Sequence, residues 1–258
     1  MGIKELEFTI ENIGHLIDLR LQALREGTVH PKHVLDVCLL YRRMGCGTLL
    51  ASYDADTFFY LLYQAADTYL QLLERKHLWP ALDPYYLARS RAEPLLDALA
   101  LGDEALVRRI DALAEPQWQA GMEYEDDYWS LRLLPRLALP ETPRAELFDL
   151  MDRLERAVDG AEFPRFDVLK ALLQGDPEAF EEALLRAIEA WQSRMERARK
   201  SGTGNPLALA TDAHVFIEGI AFVRLARARG LRLRTQYPLI PPLALSAPPS
   251  DIKRRPLW

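Results

Sequence analysis

The chain has 258 residues, 49% of them hydrophobic, with 38 acidic against 32 basic side chains and a formal net charge of -6. A chain of this length can bury a large core, as one domain or as two packed lobes. The acidic balance disfavours nucleic acid as a partner, because phosphate binding needs a basic surface; it suits a cationic protein partner, or serves solubility alone.

The first residues, MGIKELEFTIENIGHL, lack a basic region followed by an apolar run, so no export signal is read there. No segment reads as the roughly 20 apolar residues of a membrane span. Cys38 and Cys46 do not form a CxxC pair, and they read as small apolar filler in a reducing compartment. The expected location is the cytoplasm.

In chain order, Ile10, Ile13, Leu16, Ile17, Leu21 and Leu24 recur at helical spacing up to Gly27. A second helix is expected from Pro31 to Arg43, with a break at Gly45-Cys46-Gly47. Asp54 or Asp56 can cap the next helix, whose apolar residues from Phe58 to Leu73 cover almost the whole circumference and place it in the middle of a core. Asp83-Pro84 is an N-cap with proline at the first helical position, and Pro94 predicts a kink or break downstream. Gly102-Asp103 and Gly175-Asp176 each stop one helix and cap another, but two short phrases 73 residues apart make no tandem repeat. Between them, Thr142-Pro143 opens a helix over 143–158, and Phe163-Pro164 opens a short one ending at Gln174.

A long helix follows from Pro177 to Lys200, then a Ser-Gly-Thr-Gly-Asn-Pro loop over 201–206. Thr211 or Asp212 should cap a last helix that Gly230 ends, with Gly219 and Ala226 giving it a small-residue face. After it come an extended Tyr-Pro-Leu-Ile-Pro-Pro strap (237–242) folded over the bundle and a basic tail with Lys253, Arg254 and Arg255. Only Leu231 to Thr235 alternates as a strand would, one lone candidate. The fold class is therefore all-α, a bundle or irregular array of about nine to eleven helices with no significant sheet. It is expected as a single domain over 1–258, or as two packed lobes, 1–140 and 141–258.

No catalytic motif emerges. His214 and Glu218, one helical turn apart, could ligate a metal, but no HExxH or further ligand accompanies them, so no metal or cofactor is expected. On a helical wheel Glu218 lies among Leu225, Phe222 and Arg229; a buried carboxylate needs a partner, either His214 or an arginine from another helix, and the two are read as structural buried polar groups. Asp126-Asp127 lacks the further acid of an aspartate-rich metal motif, and Ser201 to Gly204 lacks the phosphate-loop pattern. The best surface candidate is Glu115 to Trp129. Its acids Glu115, Glu123, Glu125, Asp126 and Asp127 would steer a basic partner, and Trp118, Tyr124 and Trp129 are the residue types that anchor interfaces.

The run His-Val-Phe-Ile-Glu-Gly (214–219), the stretch Leu-Ala-Arg-Ala-Arg-Gly (225–230), and Tyr237-Pro238 with Ile240-Pro241 resemble the C-terminal signature of the bacterial immunity protein 49 family. The preceding PRFDVLKALLQGDPEAFEEAL (164–184) is similar to that family too. The resemblance implies a mostly helical, non-enzymatic antitoxin of a polymorphic-toxin system in interbacterial competition. Such a protein stays in the producing cell and neutralises a cognate secreted toxin by stoichiometric binding. It carries over no catalytic or toxin-contacting residue. The alternatives are a helical scaffold or adaptor, against which no period of about 34 or 40 residues is visible, and an all-α enzyme using His214 and Glu218.

Overall fold

The structure is a computed structural model that describes residues 2–27, 30–79, 81–250 and 252, so the tail arginines and Lys253 lie outside the described residues. The chain forms α1 (Ile3–Arg25), α2 (Val34–Ser52), α3 (Ala55–Arg75), α4 (Pro94–Leu101), α5 (Glu104–Leu113), α6 (Glu125–Ala138), α7 (Arg144–Val158), α8 (Pro164–Gln174), α9 (Pro177–Ser201), α10 (Pro206–Ala210) and α11 (Ile217–Ala228). Short 3-10 turns join several of these, and among the described residues the only β pairing is an isolated bridge between Tyr237 and Ile240. The fold is all-α.

Local signals set most boundaries. Asp54 accepts the Thr57 N–H at 2.9 Å to start α3, and Asp103 and Asp176 do the same for α5 and α9 after Gly102 and Gly175, whose φ values of +71° and +74° suit glycine. Pro94 breaks the chain rather than kinking it: the residues after Asp83 make two 3-10 turns, and Pro94 is the first residue of α4.

Three expectations are corrected. Gly45-Cys46-Gly47 does not end α2, because these glycines serve packing. A Cβ on Gly45 would meet the Leu61 Cβ and the Phe58 carbonyl at 3.3 Å, and one on Gly47 would meet Ile10 Cγ1 at 2.8 Å. Thr142 caps nothing: Pro143 holds the N-cap position of α7. Leu231 to Thr235 forms no strand, in keeping with the all-α expectation. The last helix begins at Ile217, not at 211 or 212, because Val215 is extended and the Phe216 N–H donates to the Leu239 carbonyl at 2.8 Å. The strap thus takes the bond that would have continued the helix upstream. Ile240 of the strap packs over Gly219, where a Cβ would come within 2.9 Å of Ile240 Cδ1. Glu181 of α9 fastens the strap by accepting the Arg234 N–H at 2.7 Å and the Tyr237 hydroxyl at 3.0 Å.

One apolar cluster runs from Val34 to Ala244 and includes residues of both expected lobes. The buried residues of α3, α4 and α11 meet in it, with α11 packed against α4, α6, α8 and α9. A smaller cluster joins Ile13, Ile17 and Leu21 of α1 to Val37 and Leu40 of α2. The stretch Pro206–Ala228 is longer and more apolar than the sequence reading allowed, with a mean hydropathy of 1.4, but it folds as α10, a 3-10 turn and α11, with 67% of its most apolar window buried.

Candidate functional site

A cleft of about 900 Å³ opens where α2, α4, α6, α8, α9 and the start of α11 converge. Three arginines form its charged base. Arg42 of α2, only 8% exposed, donates from Nε to Asp97 Oδ1 at 2.7 Å and from a terminal nitrogen to Oδ2 at 2.9 Å, a bidentate pair, and it also donates to the Glu93 carbonyl at 2.8 Å. Asp97 lies inside the wholly buried α4. Burial pushes its carboxyl up to about 6, although Arg42 pulls the other way. Arg43 pairs with Asp212 at 3.2 Å, and burial outweighs Arg43 in raising the Asp212 carboxyl.

Arg165 of α8 joins three helices. It pairs with Glu218 of α11, with Asp127 of α6 at 3.3 Å, and donates to the Ser130 hydroxyl at 2.9 Å. Burial raises the Asp127 carboxyl above its ordinary value, with Arg165 opposing.

The mouth of the cleft is bordered by the loop between α5 and α6. This loop is pinned from below. Arg89, 1% exposed, donates to Asp111 Oδ1 at 2.9 Å, to the Glu115 carbonyl at 3.0 Å and to the Leu131 carbonyl at 3.3 Å. The Tyr128 hydroxyl donates to the Pro116 carbonyl at 2.7 Å. Glu123 accepts the Ser90 N–H at 2.7 Å and the Gln119 N–H at 3.0 Å, tying the loop tip to the opposite turn. A loop held this way presents its apolar side chains in place instead of burying them: Tyr124 is 79% exposed, Trp118 41% and Met122 37%.

The structure sorts the sequence candidates into distinct roles. Glu123 and Asp127 face the cleft but are committed to the Ser90 and Gln119 N–H groups and to Arg165. Glu125 accepts the Trp129 indole N–H at 3.0 Å and is exposed, and Asp126 accepts the Asp127 N–H at 2.8 Å in the first turn of α6. Trp129 is half-buried, with the Arg153 guanidinium 5.1 Å from its ring centre, and Glu115 is half-buried at the root of the loop. Trp118 and Tyr124 remain open. Glu218 is largely buried on Arg165, an arginine from another helix.

His214 is corrected: it is exposed, at the end of the turn 212–214, and the wholly buried Val215 takes the inward place. With α11 starting at Ile217, His214 and Glu218 share no helical face. Among the described residues no three His, Cys, Asp or Glu side chains converge on a possible metal position.

Sequence reasoning missed Arg42, Arg89, Asp97 and Arg165. Asp97 had a signal, as the one charge in the apolar run PLLDALAL, since an acid at such a place demands a buried cation. The arginines had none, because their partners lie 22 or more residues away.

A family model described as Immunity protein 49 matches residues 36–244, which takes in every residue that lines the cleft. No curated protein and no solved structure matches the chain.

Proposed function

We propose, from the premise that the chain belongs to the immunity protein 49 family, that it neutralises a cognate toxin by stoichiometric binding at the mouth of the cleft, with the stretch 115–129, the α5–α6 loop and the first turn of α6, as the principal lip. The observation that carries this reading is the pinned loop exposing Trp118, Met122 and Tyr124 beside a large cleft. Aromatic and methionine side chains held on a rigid support lose little entropy on docking, so they are efficient anchors. Glu125 and Asp126 lie next to these anchors and would favour cationic groups around the rim of the toxin contact, as the substrate face of a nuclease would offer. The protein acts in the cytoplasm of the cell that makes the toxin and needs no catalytic step of its own.

The test is co-expression. The chain is produced together with the toxin domain encoded beside its gene, and growth is scored against the toxin domain alone. Rescue by the wild type, and loss of rescue in Trp118→Ala/Tyr124→Ala at equal protein level, is expected. Failure of the wild type to rescue, with both proteins present, refutes the immunity role; full rescue by the double variant refutes the lip as the contact.

A further inference from the structure

Every carboxylate lining the cleft already has a partner. Asp127 and Glu218 meet Arg165, Asp212 meets Arg43, Glu93 meets Arg42 at 3.4 Å, and Glu123 accepts two backbone N–H groups. The cations are not matched in the same way. Arg91 makes its polar contact with the neutral Tyr85 hydroxyl, and Arg194 lies with its guanidinium 4.5 Å from the Trp191 ring centre; among the described residues neither has a carboxylate partner.

Three further polar atoms on these same elements are buried and lack any hydrogen-bond partner: Ser90 Oγ, Arg91 Nε and Trp191 Nε1. All three can donate, and two can only donate. Ser90, Arg91, Trp191 and Arg194 all line the one cleft, contributed by the 3-10 turn before α4 and by α9. Buried donors without partners are costly, so they mark where an acceptor from outside is to be placed.

We infer that the cleft receives a carboxylate-bearing segment of the toxin, an aspartate or glutamate side chain flanked by apolar residues, held between Arg91 and Arg194 with the Trp191 indole N–H. This rests on the immunity reading for the origin of the segment. Two features favour a single carboxylate on a peptide over a phosphate compound. Five carboxylates balance the five arginines of the lining, so the cleft carries no net positive charge to hold a multiply charged anion. The remaining wall is apolar, with Leu96, Leu131, Val215 and Phe216, which suits side chains on either side of one acid. The toxin contact would then have two parts: an acid entering the cleft and cationic groups meeting Glu125 and Asp126 outside it.

The experiment follows the Trp191 indole N–H signal in heteronuclear NMR of the full chain, assigned with Trp191→Phe. The probe is the peptide acetyl-Leu-Glu-Leu-amide, compared with its glutamine analogue and with inorganic phosphate at matched ionic strength. A saturable shift with the glutamate peptide, at least about fivefold weaker with glutamine or in Arg194→Gln, is expected; Arg194 is exposed, so this variant should keep its fold. No shift, or equal shifts with both peptides, overturns the inference. A shift with phosphate at lower concentration than with the peptide overturns the assignment to a peptide acid. In parallel, Arg194→Glu should weaken binding of the toxin domain by about tenfold or more while Arg194→Lys stays within about threefold. If the wild type does not bind the toxin at all, the immunity reading fails, while the peptide titration still decides the chemistry of the cleft.

Discussion

Replacing Arg42 by leucine removes the counter-ion of a fully buried carboxylate, and its cost should grow with pH. In the wild type the Asp97 carboxyl sits at about 6, above an unfolded value of about 3.9. Burial raises it and Arg42 limits the rise. The ionised form therefore costs the fold something even with Arg42 present: stability from this group is full below about 4, falls as pH rises to about 6, and is flat above that. Without Arg42 the carboxyl moves higher still, so at pH 8 it stays protonated in the folded variant while the unfolded chain is ionised. The folded variant then binds one more proton than its unfolded state, and it loses about 1.4 kcal/mol for each pH unit above about 6 relative to the wild type.

The effect of Arg42→Leu on unfolding free energy should thus be about 2–3 kcal/mol larger at pH 8 than at pH 6. On a chain of this size that corresponds to roughly 5–10 °C of additional fall in Tm. Urea unfolding followed by tryptophan fluorescence at the two pH values measures it. Arg42→Leu/Asp97→Asn is the control, because an amide cannot take up the proton and the pH-dependent part must vanish. An Arg42→Leu effect that is equal at both pH values, or a pH dependence that persists in the double variant, refutes the reasoning.

The remaining predictions address packing, the strap and the lip. Gly47→Ala should cost about 1–3 kcal/mol in urea unfolding, since its Cβ would stand 2.8 Å from Ile10 Cγ1 and 3.3 Å from Thr211 Cγ2; an unchanged midpoint would show that α1 yields freely. Glu181→Ala removes the acceptor of the Arg234 N–H and the Tyr237 hydroxyl, so amide exchange at Phe216, whose N–H donates to Leu239 in the strap, should quicken by about tenfold before global unfolding changes; equal protection would mean that Ile240 packing alone holds the strap. Trp118→Ala/Tyr124→Ala should weaken toxin binding by about 30-fold or more in calorimetry and move Tm by less than about 2 °C, because both side chains are substantially exposed. Glu125→Lys/Asp126→Lys should slow association with the toxin and flatten its salt dependence in surface-binding kinetics; Asp127 is left out because it holds Arg165.

The sequence displayed the helices because its punctuation is local. Asp54, Asp103 and Asp176 cap the residues just after them, and Pro94 cannot continue a helix, so these boundaries depend on only a few neighbours. Where the decisive contact is distant, local reading failed. Gly45 and Gly47 looked like a break but are spaces for α3 and α1, and the start of α11 is set by a bond to Leu239, more than 20 residues downstream. His214 went astray for the same reason, since its inward place existed only on a helix that began at Thr211.

The cleft was half legible. The 115–129 stretch and Glu218 each stood out by composition, and they were read as unrelated, one a surface and the other a buried structural acid. Arg165 makes them one object: its guanidinium lies between Asp127 of the lip and Glu218 of the family signature helix, 38 residues from the one and 53 from the other. That separation hides the link from any local pattern, yet a partly buried arginine with two carboxylates is held firmly in place by both. The signature helix and the first turn of α6, which Tyr124 precedes, are therefore joined through one arginine, so a partner that grips Tyr124 would bear on the helix whose Asp127 meets Arg165. The arrangement ties the proposed binding surface to the core of the fold and leaves Arg91 and Arg194, which pair with no acid among the described residues, as the charges that would select the partner.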